Sequence, residues 1–270
     1  MILICRVAFV GLAYDLGFVS RHPGGFVLGI VLAIMAVALG GVMKGAIGAG
    51  VPVIAAPALT MVFDVQTAVA ILVVPNLLSN VWQAWTYRDK ALSRRFLLLF
   101  AGGGVLGVVL GTYLLASLPQ ETLSLLVAFA VLGYIGLRLA KPGWMLQHKQ
   151  AERYSGVAGT VGGVLQGATG ISAPASITYL NAMRLPREAF IGTVSIFFVT
   201  MSAAQFPVLW GLGIMTGERL VMGFIALGIV FLFMPVGTWL GRKASPKVFD
   251  FAMLAVLGVI AAKILVETLL

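Results

Sequence analysis

Lys44-Gly45-Ala46-Ile47-Gly48-Ala49-Gly50-Val51-Pro52 decides the fold once it is set beside Gln166-Gly167-Ala168-Thr169-Gly170-Ile171-Ser172-Ala173-Pro174. Both runs are rich in glycine, both close on a proline, and both interrupt long apolar sequence. Glycine lets backbone bend and approach a neighbour closely, and proline ends or starts a helix. Two such breaks 122 positions apart read as the same device used twice.

The surrounding sequence says what medium these breaks sit in. The 270 residues are 60% hydrophobic and only 10% charged, whereas a soluble domain carries about 25% charged residues. Too little polar surface remains to coat a globule in water, so lipid is the solvent. Runs long enough to cross a hydrocarbon layer of roughly 30 Å occupy 26–45, 66–87, 96–116, 121–139, 188–210, 220–240 and 248–269. Three further apolar runs, 51–63, 156–167 and 171–183, are too short or too broken to cross alone, and each touches a Gly/Pro cluster.

The duplication extends beyond the tips. At the same offset Gln83 falls on Gln205, and with a few residues of drift Gly111-Thr112-Tyr113-Leu114 matches Gly237-Thr238-Trp239-Leu240. Ala130-Val131-Leu132-Gly133 likewise matches Ala255-Val256-Leu257-Gly258. Four matches in the same order indicate an internal repeat. Basic residues fall in non-equivalent loops of the halves. Arg88, Lys90, Arg94 and Arg95 follow the second run, and Lys141, Lys149 and Arg153 follow the fourth. In the second half Arg184 and Arg187 come early, and Arg242, Lys243 and Lys247 follow the sixth run. Cytoplasmic loops carry the excess of Lys and Arg, so the halves are expected upside down relative to one another.

The expected fold is therefore an all-α integral membrane protein of two inverted-topology repeats. Each repeat is a broken, Gly/Pro-tipped helical hairpin plus three spanning helices. Residues 26–139 form the first repeat, 140–155 a cytoplasmic linker and 156–270 the second. Residues 1–22 read equally as a weak helix, a signal segment or an artefact of the start site. Broken backbone at membrane depth needs protein or a water-filled cavity to satisfy it. Two tips approaching each other would make such a site, with helix N-termini near Pro52 and Pro174 presenting N–H groups to an anion. The glycines at the tips also suit plain helix packing, as do the ladders Gly103, Gly107, Gly111 and Gly159, Gly163, Gly167.

The glycine-rich, proline-closed tip at 45–57, its recurrence at 167–174 and the basic loop 88–95 resemble the sulfite exporter TauE/SafE family of membrane permeases. The resemblance runs from about Phe26 to Leu269. It implies transport of sulfite, sulfonates or related anions across the bacterial cytoplasmic membrane. Ala46 and Ala49 in the first tip, and Thr169, Ile171 and Ser172 in the second, depart from a richer glycine run and leave the particular anion open.

Candidate substrate-binding residues follow from the tips and from polar groups inside the runs. Lys44, Gly48, Gly50 and Pro52 belong to the first tip; Gln166, Thr169, Gly170, Ser172 and Pro174 belong to the second; Asn76, Asn80, Gln83 and Gln205 lie within spanning runs. Lys44 either pairs with an anion or snorkels to an interface. Each amide or hydroxyl either lines a pathway or makes an interhelical hydrogen bond. A small anion and the bilayer are the expected partners, a homo-oligomer is compatible with the sequence, and nucleic acid is not expected despite a net charge of +9. No cofactor or metal is expected: Cys5 is the lone cysteine, and His22 and His148 fall in loops. No HExxH, GxSxG or paired intramembrane carboxylates occur, so enzymatic hydrolysis lacks its nucleophile. An importer of sulfonates or carboxylates, or a non-transporting membrane subunit, stand as alternatives. With no buried acid for a proton or sodium relay, export driven by membrane potential is the expected mechanism.

Overall fold

The computed structural model describes residues 23–140, 145–243, 254, 257–262, 264 and 266. The segment 1–22 and most of the run 248–269 lie outside the described residues. Among the described residues every regular element is a helix: α1 (Pro23–Ile47), α2 (Val51–Thr60), α3 (Val65–Tyr87), α4 (Arg94–Ser117), α5 (Gln120–Ala140), α6 (His148–Thr169), α7 (Ser176–Ala182), α8 (Arg187–Gly211) and α9 (Gly217–Lys243). Six of them, α1, α3, α4, α5, α8 and α9, are long and apolar enough to cross a membrane. The chain is an all-α, multi-pass membrane protein.

Helix boundaries follow local chemistry. Asp64 caps α3, its carboxylate accepting from the Thr67 backbone N–H at 2.7 Å and from Thr67 Oγ1 at 2.6 Å. Ser93 Oγ accepts from the Phe96 N–H at 3.3 Å and starts α4. The first break uses Gly48 and Gly50 at φ of 81° and 125°, and the second uses Gly170 at 75°, all values that side-chain-bearing residues rarely adopt. At the second break the helix return begins later than the proline suggests. Pro174 lies in a turn, and α7 starts at Ser176.

One run is longer than its apolarity indicates. The stretch 156–167, read as too short to cross, is the end of the 22-residue α6, which begins at His148. Lys149, Glu152 and Arg153 occupy its first turns and hid the helix from an apolar reading. The second half of the expected linker is therefore helix. Arg95 joins the starts of α4 and α6 through Glu152 at 3.3 Å.

Packing rests on glycines that let backbones touch, and the contacts come in pairs. A Cβ at Gly45 would collide with the Met234 carbonyl and the Thr238 N–H of α9. One at Gly167 would collide with the Val108 carbonyl and Thr112 N–H of α4. Gly41 faces Val230 as Gly163 faces Gly104, and Gly237 faces Val42 as Gly111 faces Val164. Helix α1 thus lies parallel to α9, and α6 parallel to α4. Helices α3 and α8 run antiparallel, joined where Asn76 Nδ2 donates to Ser202 Oγ at 3.0 Å and Ser195 Oγ donates to Gln83 Oε1 at 3.3 Å. Phe100 of α4 stacks on Phe197 of α8 at 4.1 Å and on Tyr179 of α7 at 6.0 Å.

These directions place Gly48 and Gly170, the outer turns of the two breaks, toward opposite ends of the bundle, while α2 starts beside Gly40 and α7 beside Gly162, partway along α1 and α6. Gly48 packs on Ile191 at the start of α8, beside Gly192, which faces the Tyr87 carbonyl. Gly170 packs on Ala56 and Val69, near the start of α3. From Val69 to Tyr87 is eighteen residues, roughly 27 Å of helix at 1.5 Å per residue. The second break nevertheless reaches the returning helix of the first, since Gly170 touches Ala56, six residues past Gly50. The end that holds Gly48 also holds Arg88, Lys90, Arg94, Arg95, Lys149, Arg153 and Arg187, whereas Asp64, Glu121, Glu218 and Arg219 mark the other.

Candidate functional site

Asn76, Asn80 and Gln83 sit at i, i+4 and i+7 on α3, so one face of an otherwise apolar helix is polar. That face meets α8 and the end of α1 rather than lipid, and all three side chains are buried. Pro75, inside α3, has no N–H to give the Ile71 carbonyl, and Ser79 Oγ donates to the Pro75 carbonyl.

Lys44 reaches into this face. Its side chain is 2% exposed, which removes the snorkelling alternative. Its Nζ donates to Asn80 Oδ1 at 2.8 Å and lies 3.5 Å from the Gly48 carbonyl. Asn80 is oriented by donating its Nδ2 to the Asn76 carbonyl at 2.6 Å and to Asn76 Oδ1 at 2.9 Å. Asn76 in turn donates to Ser202, and Gln83 Nε2 lies 3.4 Å from the Lys44 carbonyl. The result is a connected polar network along the α3–α8 interface, with a primary ammonium at one end. Among the described residues no carboxylate pairs with Lys44. A buried cation without a counter-charge is costly unless something anionic joins it.

The glycines of the first break make room for this arrangement. A Cβ at Gly48 would strike Ile191, and one at Gly50 would lie 3.0 Å from the Met43 Cε. Pro52 stands in the first turn of α2, where its missing N–H costs nothing. Arg187 donates from Nη2 to the carbonyls of Gly45 at 3.3 Å and Ala46 at 3.0 Å, closing the end of α1 and placing a second cation at the break.

The second break is organised differently. Thr169 Oγ1 donates to the Leu165 carbonyl at 2.7 Å and accepts from the Ile171 N–H at 3.2 Å. Ser176 Oγ donates to Ser172 Oγ at 2.9 Å, and the Ser176 N–H goes to the Ser172 carbonyl. Thr169 and Ser172 therefore brace the turn itself. Gln166 and Gln205 are 4% and 1% exposed, and Gln166 Oε1 and Gln205 Nε2 have no hydrogen-bond partner. The structure joins Lys44, Asn76, Asn80 and Gln83 in one network, and among the described residues none of Gln166, Thr169, Gly170, Ser172, Pro174 and Gln205 hydrogen-bonds to it, although Gln205 lies one turn beyond Ser202.

Three residues of the network were missed in the sequence. Ser202 and Ser195 are ordinary hydroxyls in an apolar run, yet Ser202 stands 122 positions after Asn80 and the repeat offset points to it. Arg187 reads as a loop charge until its contact with the break is seen.

Long apolar helices, broken hairpins and a buried lysine on a polar helix face fit a membrane transporter. The family profile described as "Sulfite exporter TauE/SafE" matches residues 32–264, and the chain belongs to that family. No curated protein and no solved structure matches it.

Proposed function

We propose that the chain is a secondary transporter that exports a small oxyanion, sulfite or an organosulfonate, across the cytoplasmic membrane. The observation that carries this reading is Lys44: fully buried, held at 2.8 Å by Asn80, and without a carboxylate partner among the described residues. An ammonium so placed is completed by an anion that arrives and leaves. Asn76, Asn80 and Gln83 supply uncharged groups along its path, and Pro75 and the glycine breaks supply places where helices can shift.

The basic end of the bundle is the cytoplasmic end by the distribution of Lys and Arg, so Lys44 lies on the side from which an exported anion enters. Two inverted repeats underlie the carrier. The antiparallel course of α3 and α8, and the glycine contacts that recur at Gly45 and Gly167, support that architecture. Rocking of one repeat against the other would expose the site alternately. Exporting one negative charge gains about 2.3 kcal/mol per 100 mV, enough to drive a uniporter.

Proteoliposomes with a clamped potential test the reading. Radiolabelled sulfite or sulfonate should move with the potential and slow when Lys44 is replaced by alanine. Absence of flux for every oxyanion tried, in folded protein, would refute it, and a strict need for a proton or sodium gradient would refute the uniport mechanism.

A further inference from the structure

The two glutamines left without partners occupy the position that mirrors the lysine network. Lys44 and Gln166 are 122 positions apart, as are Gln83 and Gln205, and Asn80 and Ser202. The contacts around them correspond as well. Gly48 packs on Ile191 and Gly170 on Val69, again an offset of 122 on each side. Yet the two halves are satisfied differently. Gln83 accepts from Ser195 and approaches the Lys44 carbonyl. The twin of Ser195 is Val73, which has no hydroxyl to donate to Gln205 Oε1 as Ser195 does to Gln83. Gln83 Nε2 finds the Lys44 carbonyl, whereas Gln205 Nε2 has no acceptor. Gln166, in the place of the lysine, has Oε1 without a donor.

We infer that Gln166 and Gln205 form a second, uncharged station for the transported oxyanion, on the opposite half of the α3–α8 interface from Lys44. This rests on the reading of the chain as an anion carrier built on twin half-sites. Two buried amides with free polar atoms are costly to fold and are relieved by a ligand that hydrogen-bonds to both. Gln205 Nε2 donates directly. Gln166 Oε1 is an acceptor and takes the hydroxyl proton of a singly protonated oxyanion such as hydrogensulfite, so one such ion satisfies both free atoms. Ser195 is tied to Gln83, and Gln205 lies ten residues further along α8, about 15 Å at 1.5 Å per residue. The polar residues Asn76 and Ser202 fall between the stations. The charged station collects the anion near the basic end, and the neutral one holds it weakly enough to release it.

Equilibrium binding of radiolabelled sulfite to the full chain in nanodiscs, together with flux in proteoliposomes, tests this. Wild type should bind two anions per chain, one tightly and one weakly. A Gln166→Met, Gln205→Met double variant should lose the weak event, keep the tight one and export about tenfold more slowly, the effect of losing one or two uncharged hydrogen bonds. Lys44→Gln should show the reverse loss. If the double variant fails to fold, Gln205→Asn keeps an amide but withdraws it from the station and should lose the same event. A single binding event in wild type, or wild-type binding and flux in the glutamine variants, would overturn the second station while leaving anion transport standing. Neither binding nor flux in the wild type would overturn both.

Discussion

Replacing Lys44 by glutamine, the residue at its twin position, separates the charge of the site from its hydrogen bonding. Glutamine can still donate toward Asn80, whose Oδ1 now accepts from Nζ at 2.8 Å. What disappears is the Coulomb attraction for an anion. For an ammonium and an oxyanion about 4 Å apart, at an effective dielectric constant of about 20, that attraction is about 4 kcal/mol. At about 1.4 kcal/mol per decade, sulfite binding at this station should weaken roughly a thousandfold. Stability should move the other way. The lysine is buried with no carboxylate partner among the described residues, so its removal should stabilise the unliganded protein by a few kcal/mol, on the order of the cost of an uncompensated buried charge. Equilibrium binding and thermal melting of the detergent-solubilised protein measure the two effects. A variant that binds sulfite as tightly as wild type refutes the assignment of Lys44 to the anion. A variant that melts lower refutes the claim that its charge is uncompensated.

Asn80→Asp supplies the carboxylate that Lys44 lacks, so sulfite flux should fall at least tenfold while melting temperature rises, a strong internal pair having displaced the substrate. Gly45→Ala drives a Cβ into the Met234 carbonyl and Gly167→Ala into the Val108 carbonyl, and each should lower stability by about 1–3 kcal/mol or more, read by thermal melting. Gly133→Ala, with open space around the added methyl, should stay within about 1 kcal/mol of wild type. Asp64→Ala removes the cap of α3 and its contact with Arg219 at 3.8 Å, and should cost about 1 kcal/mol in denaturant unfolding with little effect on flux.

Much of this protein is written locally. Apolar runs interrupted by charged turns mark the spanning helices, because lipid tolerates little else over that length. Gly48, Gly50 and Gly170 announce the breaks, and in the structure all three adopt φ values suited to glycine. The 122-residue offset is visible without coordinates, and it links Lys44 to Gln166 before any contact is known. The start of α6 is the place where local reading failed: Lys149, Glu152 and Arg153 look like a linker, and only the packing of Gly156, Thr160 and Val164 against α4 makes them the first turns of a full-length helix.

What tertiary structure alone decided is which polar faces meet. The sequence identified Lys44 and the amides as candidates and expected two tips to converge on them. The hydrogen-bonded network runs along the α3–α8 interface, with Ser195 and Ser202 contributed by a helix more than a hundred residues away. Helical periodicity says which residues share a face, but not which face another helix covers. That depends on how closely two backbones approach, and here the approach is set by glycines such as Gly45, Gly167 and Gly237 against carbonyls distant in the chain. A sequence records each partner of such a contact separately; the fold determines that they touch.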